Sequence, residues 1–220
     1  MANIAIAALA LPKIVWQERE ANKNHDVLAF SADLAGFPRG AVSEILGPAS
    51  SGRTAILHAV LAAASSRGEA CAIVDWRGAF DPTSAAANGV RLEQLLWVRT
   101  ARRLDRSLTA TDWILHAGGF GVVALDLCGA APNELRRVPL TWWHRFRHAV
   151  QDTPAIFLLL AEQPLAGSCA ASSASLERSR TVWSGSRHMP LLDGIEMRVT
   201  PRRPVERAGK IVGAHWGGSE

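Results

Sequence analysis

Four runs in this chain are apolar almost from end to end rather than alternating: AVSEIL (41–46), ACAIVD (70–75), FGVVALD (120–126) and AIFLLLA (155–161), with a shorter one, LLWV, at 95–98. A strand with one wet face alternates apolar and polar residues; a strand covered on both faces does not. Between the runs lie helix-forming stretches: RTAILHAVLAAASSRG, unbroken until Gly68; DRSLTATDWILHAGG, stopped by glycines; and PLTWWHRFRHAVQ, which opens on Pro139. In the last of these Trp142, Trp143, Phe146, Ala149 and Val150 recur at helical spacing and form a core stripe, leaving Arg145, His148 and Gln151 outside. The pattern predicts an α/β fold with a mostly parallel central sheet and helices on both faces.

A chain of 220 residues suffices for one well-buried domain with small extensions. The expected division is an N-terminal extension at 1–35, with KIVWQERE as its helical part and the apolar opening as a docking segment, a domain at 36–205, and a tail at 206–220. Within the domain, FPRG (37–40) reads as a turn, PLAGSCAASSASLERSR after Gln163 as a mobile loop, and GIEMRVTPRR as a late antiparallel strand. The opening MANIAIAALALP is too short to span a bilayer and lacks a basic n-region, so a cytoplasmic protein without a membrane segment is expected. Cys71, Cys128 and Cys169 form no Cys-x-x-Cys pair and read as free thiols in a reducing compartment.

The connection between the first run and its helix carries the chemistry. LGPASSGRTA (46–55) places Gly47, Gly52 and Thr54 in the register of a phosphate-binding loop, with Arg53 where that pattern has lysine. Glycines let successive backbone N–H groups face inward around phosphates, and the following helix presents its positive end. Pro48, Ser50 and Ser51 complete the cradle; Thr54 would place its hydroxyl on Mg²⁺, and Asp126 fits the second acidic position that helps hold the metal. ATP with Mg²⁺ is the expected ligand, held weakly, because a planar guanidinium replaces a compact ammonium.

GAVSEILGPASSGRTA resembles the loop region of RecA-type recombinases, CAIVDWRGAFDP resembles their stretch after the next strand, and NGVRLEQLL continues the match, which covers residues 30 to 165. The resemblance implies a RecA-like P-loop fold. It also implies a phosphate-sensing role for Gln163, a position that equally suits a polar cap on a buried strand. Departures from the family fall on ATP use. Arg77 stands where the catalytic glutamate is implied, and Ser84 where a tyrosine would stack on adenine, in a chain with no tyrosine. The stretch after Asp126 is too short for the family's first DNA-binding loop, residues 164–180 occupy the place of the second, and no counterpart of the large C-terminal RecA domain is expected.

A small, degenerate RecA-like chain is similar to the ImuA-type accessory proteins of bacterial translesion synthesis. That resemblance implies a role in the SOS DNA-damage response beside an inactive Y-family polymerase relative and a replicative-type polymerase, with RecA as a further partner. The reading is a non-catalytic adaptor in DNA repair; with Arg53 and Arg77 in those places, no efficient ATPase and no catalytic residue is assigned. The alternative is a divergent DNA-dependent ATPase with Glu44 or Glu162 as its acid. A third reading is a single-stranded DNA binder using the 164–180 loop and the arginines, which make up 21 of the 24 basic residues and of which eight cluster at 99–106 and 198–207. Each cluster equally suits a solvated face. His144 and His148 lie one helical turn apart but have no third ligand, so a solvated pair is expected.

Overall fold

The computed structural model describes residues 27–29, 36–186, 189–203 and 210–215. Its core is an eight-stranded sheet in the order β10-β9-β8-β3-β7-β6-β4-β5. Those strands are β3 (Ala41–Leu46), β4 (Ala70–Asp75), β5 (Leu95–Arg99), β6 (Phe120–Asp126), β7 (Ile156–Ala161), β8 (Ala170–Ser186), β9 (Met189–Arg203) and β10 (Lys210–His215). The run from β8 to β5 is parallel throughout, and β9 and β10 close one side antiparallel. Every residue of β3 and β7 is buried, which is why their sequences do not alternate.

Helices cover both faces. On one lies α1 (Arg53–Ser66), whose Ile56, Leu57, Val60 and Leu61 pack with Ile45, Ile73, Val122 and Leu158 of the sheet. On the other, α3 (Leu104–Ala117) and α5 (Leu140–Val150) pack Leu108, Leu115, Trp143, Phe146 and Val150 against Val74, Val123, Leu125 and Phe157. The stripe on α5 is as expected, with Trp142 half-buried at its margin; Pro139 stands one position earlier than expected, at the cap. Arg145 reaches across from the exposed side of α5 and grips Asp112 of α3 through two nitrogens, Nη2 donating at 2.6 Å. Short helices α2 (Pro82–Ala87) and α4 (Pro132–Leu135) complete the set.

Several boundaries move. Val27–Leu28 (β1) pairs with Phe37–Pro38 (β2), and Leu28 is wholly buried in the α1-side core, so packing starts inside the span assigned to an extension. The turn in FPRG narrows to Arg39–Gly40. Lys210–His215, placed in the tail, is the outermost sheet strand. The largest correction is at 164–180. The expected mobile loop is a tight link followed by β8, whose Ala174 and Leu176 turn into the core while its small polar residues lie elsewhere along the strand. Ser- and Ala-rich composition misled because a strand needs only alternate apolar positions. Its partner β9 contains the late antiparallel strand expected at GIEMRVTPRR. β3 pairs β8 only as far as Leu46↔Ser175, so the next eleven residues of β8 rise past the sheet with β9 as an arm about 35 Å long. KIVWQERE lies outside the described residues. All three cysteines are free, and burial pushes the Cys71 thiol up to about 12. No helix among the described residues is long and apolar enough to cross a membrane.

Candidate functional site

The loop between β3 and α1 lies at the carboxyl edge of the parallel strands, where α/β sheets bind ligands. Gly47 N–H donates to Ala161 O (3.3 Å), and Ser51 N–H to Pro48 O (3.2 Å). Gly52 has φ +97°, and a Cβ there would sit 2.6 Å from Met197 Cε of β9; at Gly47 a Cβ would meet Leu176 O of β8 at 2.5 Å. Gly47 is thus required by the close backbone approach of β8, and Gly52 by its left-handed φ, since the Met197 methyl can move aside. α1 begins with Gly52 at its cap, no side chain capping its amides and no acid in its first turn, so its positive end is uncompensated.

Arg53 is 9% exposed, and its Nη1 is buried without a hydrogen-bond partner; Nη2 lies 4.0 Å from Glu162 Oε1. Ser51 Oγ is likewise buried and unpartnered. Two orphaned buried polar atoms at a helix N-terminus fit an anion, since an unmet donor costs about 1–3 kcal/mol. Pro48, Ser50 and Thr54 are exposed at the rim. Asp126 ends β6, one strand (β7) removed from β3, hence about 10 Å across the sheet from the loop's strand. Burial pushes its carboxyl above the usual range, with Asp75 adding to the shift, while the Cys128 N–H (2.9 Å to Oδ1) and Arg53 oppose it. A divalent cation would reverse that balance, so the phosphate and metal side suits Mg²⁺ and an oligophosphate. Gln163, two residues beyond β7, is half-buried and makes no hydrogen bond among the described residues.

Of the two positions that the resemblance implies for base and water, Ser84 is tied into a helix cap and Arg77 is exposed. Ser84 lies in α2, where its N–H and hydroxyl both donate to Asp81 Oδ2, the helix cap. Those two bonds hold Asp81 below the usual carboxylate range. Arg77 is exposed and lies against Gly129. Glu44, weighed above as a catalytic acid, is 2% exposed and accepts from Leu165 N (2.7 Å), Ala166 N (3.1 Å) and Ser173 Oγ (3.2 Å). It is a clamp on the β7–β8 link, with no oxygen turned to a ligand. Glu162, half exposed beside Arg53, is the acid that does reach the loop.

Sequence reasoning missed Asp75, which is fully buried and accepts from Gly78 N (2.7 Å), Phe80 N (2.9 Å) and Trp97 Nε1 (3.2 Å), so ordering the turn after β4. Its signal was available: an acid ending an apolar run, as Asp126 does. Met197 and Ile195 against Gly52 gave no such signal. His144 and His148 are both exposed, and no group of three or more His, Cys, Asp or Glu among the described residues is arranged to hold a metal.

A glycine loop feeding a helix from an inner strand, with an acid two strands away on the same edge, defines a P-loop nucleotide-fold domain. The model of the RecA N-terminal domain matches residues 22–134, just over half of the chain, and the chain belongs to that family. It is 35% identical to protein RecA of Chlorobium limicola over 126 residues, 57% of this chain and 36% of that one. It is 37% identical to RecA of Rhodospirillum rubrum over 103 residues, 47% of this chain and 28% of that one. The chain spans about a third of the length of these curated relatives. Among solved structures it is similar to the RadB recombinase, with a TM-score of 0.62, 14% identity, and coverage of 82% of this chain and 89% of that one. That likeness establishes the RecA-like fold.

Proposed function

We propose that this chain is a RecA-fold adaptor of the ImuA type, supporting translesion DNA synthesis and repair in the damage response through protein partners rather than through ATP turnover. The observation that carries the reading is the division within the site: the phosphate loop keeps its frame and two unmet polar groups, while Ser84 and Glu44 are tied to structural tasks and a cation, Arg77, fills the glutamate's place. Losing a positioned carboxylate commonly removes about two to four powers of ten in rate. The partners proposed are an inactive Y-family polymerase relative, a replicative-type polymerase and RecA, in the cytoplasm. Weak ATP·Mg²⁺ binding through Arg53, Thr54 and Asp126 fits this role as a stabilising ligand.

The experiment has two arms: ATP hydrolysis with and without single-stranded DNA, and co-purification from damaged cells. Background hydrolysis with capture of a polymerase-type partner supports the adaptor. DNA-stimulated turnover abolished by Asp126→Ala overturns it. Glu162, 4.0 Å from Arg53 and half exposed, favours a second reading, a divergent DNA-dependent ATPase with that residue as its acid. Retention of turnover in Glu162→Gln would exclude that second reading.

A further inference from the structure

Arg53 stands between acids delivered by two neighbouring strands. Leu46 pairs with Ala161, so the residue after β7, Glu162, is level with Gly47 at the mouth of the loop. The Gly47 N–H bond to Ala161 O (3.3 Å) holds that exit against the loop, and the Glu44 carboxylate holds the link beyond it at Leu165 and Ala166. The backbone on both sides of Glu162 is therefore fixed, while its side chain, 48% exposed, reaches solvent.

Glu162 Oε1 lies 4.0 Å from Arg53 Nη2, too far for a hydrogen bond but close enough for the two charges to act on each other. The same carboxylate is felt deeper in the site. Burial pushes the Cys128 thiol above its ordinary range, Asp126 adds to the shift, Arg53 opposes it, and Glu162 adds again. Arg53 itself is buried with Nη1 unpartnered, so it cannot exchange Glu162 for water. An oligophosphate without its metal brings several negative charges to this guanidinium and meets the Glu162 carboxylate there. Like charges around one cation compete for it. The Mg²⁺ complex brings fewer net charges and meets less repulsion.

We propose that Glu162 is a carboxylate latch on Arg53: it neutralises the loop's cation before a ligand enters and makes the loop select the Mg²⁺ complex of an oligophosphate over the metal-free anion. A phosphate that reaches Arg53 displaces the latch, whose side chain turns into solvent while its backbone stays in place. The inference rests on the weak ATP·Mg²⁺ binding in the reading above, and it assigns part of that weakness to Glu162 rather than to the arginine in the lysine slot. A latch lowers affinity and does no chemistry, which separates it from the acid of the second reading.

Isothermal titration calorimetry of the full chain with ATP, and with tripolyphosphate, which has no base, tests this, each ligand with Mg²⁺ and with EDTA. Glu162→Gln removes the charge and keeps the shape. It is expected to bind metal-free tripolyphosphate about tenfold more tightly and the Mg²⁺ complexes about threefold more tightly, the size suited to a half-exposed charge pair. Glu93→Gln makes the same charge change at the exposed start of β5, four strands from β3, and is expected to change either affinity by less than about twofold. Thermal unfolding supplies a second readout. Glu162→Gln should lower the melting temperature without ligand, because a buried guanidinium loses its counter-charge, and should enlarge the rise produced by tripolyphosphate. A merely structural role gives the first change without the second. Equal or weaker tripolyphosphate binding by Glu162→Gln, an equal gain in Glu93→Gln, or no binding by either protein at millimolar tripolyphosphate would overturn the latch. So would lost turnover at unchanged affinity, which assigns Glu162 to the second reading. Capture of a polymerase-type partner without oligophosphate binding overturns the latch and spares the adaptor, whereas the expected gain in affinity without capture does the reverse.

Discussion

Glu44 gives the sharpest quantitative test, because clamp and catalyst predict opposite patterns. Its carboxylate is 2% exposed and accepts two backbone N–H bonds and one hydroxyl bond from the link between β7 and β8. Glu44→Ala strands the amides of Leu165 and Ala166, Ala166 being 3% exposed. At about 1–3 kcal/mol for each unmet buried donor, the loss should reach about 4 kcal/mol. Set against a total stability of about 5–15 kcal/mol, that is a large fraction. With a denaturant slope of about 2–3 kcal/mol per molar urea, the midpoint should fall by about 1–2 M. Glu44→Gln keeps a carbonyl oxygen for both amides and should cost about 1 kcal/mol. Urea denaturation of the three proteins, with hydrogen exchange followed at 165–166, measures this directly. Equal midpoints for parent and alanine variant would refute the clamp. So would a glutamine variant of unchanged stability that loses an ATPase activity present in the parent.

Other outcomes follow from the same geometry. Gly52→Ala, at φ +97° and against Met197, should lower stability by about 1–2 kcal/mol in thermal unfolding, and less in a Met197→Ala background; equal losses in both backgrounds would argue against the contact. The folded chain holds the Asp126 proton more tightly than the unfolded one, so at neutral pH the carboxylate opposes folding. Asp126→Asn should therefore raise the melting temperature of the ligand-free chain while abolishing any stabilisation by ATP·Mg²⁺. Burial holds His58 below its ordinary 6.5, with Asp81 opposing, and Asn88 Nδ2 lies 3.2 Å from its Nδ1. The unfolded chain binds that proton first, so stability should decline as pH falls below about 6.5; His58→Leu should remove this part of the slope between pH 7 and 5, and an unchanged slope would count against it.

What the sequence discloses and what it hides divide along physical lines. The inner strands declare themselves because burial on both faces forces continuous apolar runs, and the loop at 46–55 declares itself because phosphate geometry constrains residue type at fixed spacing. The strand at 170–186 hides, since a strand extending past its parallel neighbour is partly solvated and tolerates Ser, Arg and Glu at most positions. Glu44 looks like a candidate acid beside the loop until the backbone of 165–166, more than a hundred residues away, arrives to claim it. Ser84 reads as a lost stacking position, and its second identity as a partner of the Asp81 cap is written in the adjacent Asp-Pro-Thr-Ser. Arg53 is legible as a substitution, but its burial and its approach to Glu162 belong to tertiary structure alone.

The neighbours of β3 set a timetable for synthesis. It is made early, yet both strands that flank it come late: Ala41 pairs with Ile156, and Val42 with Ala170. At about 5–20 residues per second, the nascent chain holds this segment without its hydrogen-bonding partners for about 6–25 seconds. The stretch that carries the family match ends at residue 134, so a fragment cut there keeps the pairing of β4 with β5 and β6 but leaves β3 without either neighbour. During that interval a naked apolar ribbon is exposed on the ribosome, and chaperone demand should be highest just before β7 emerges.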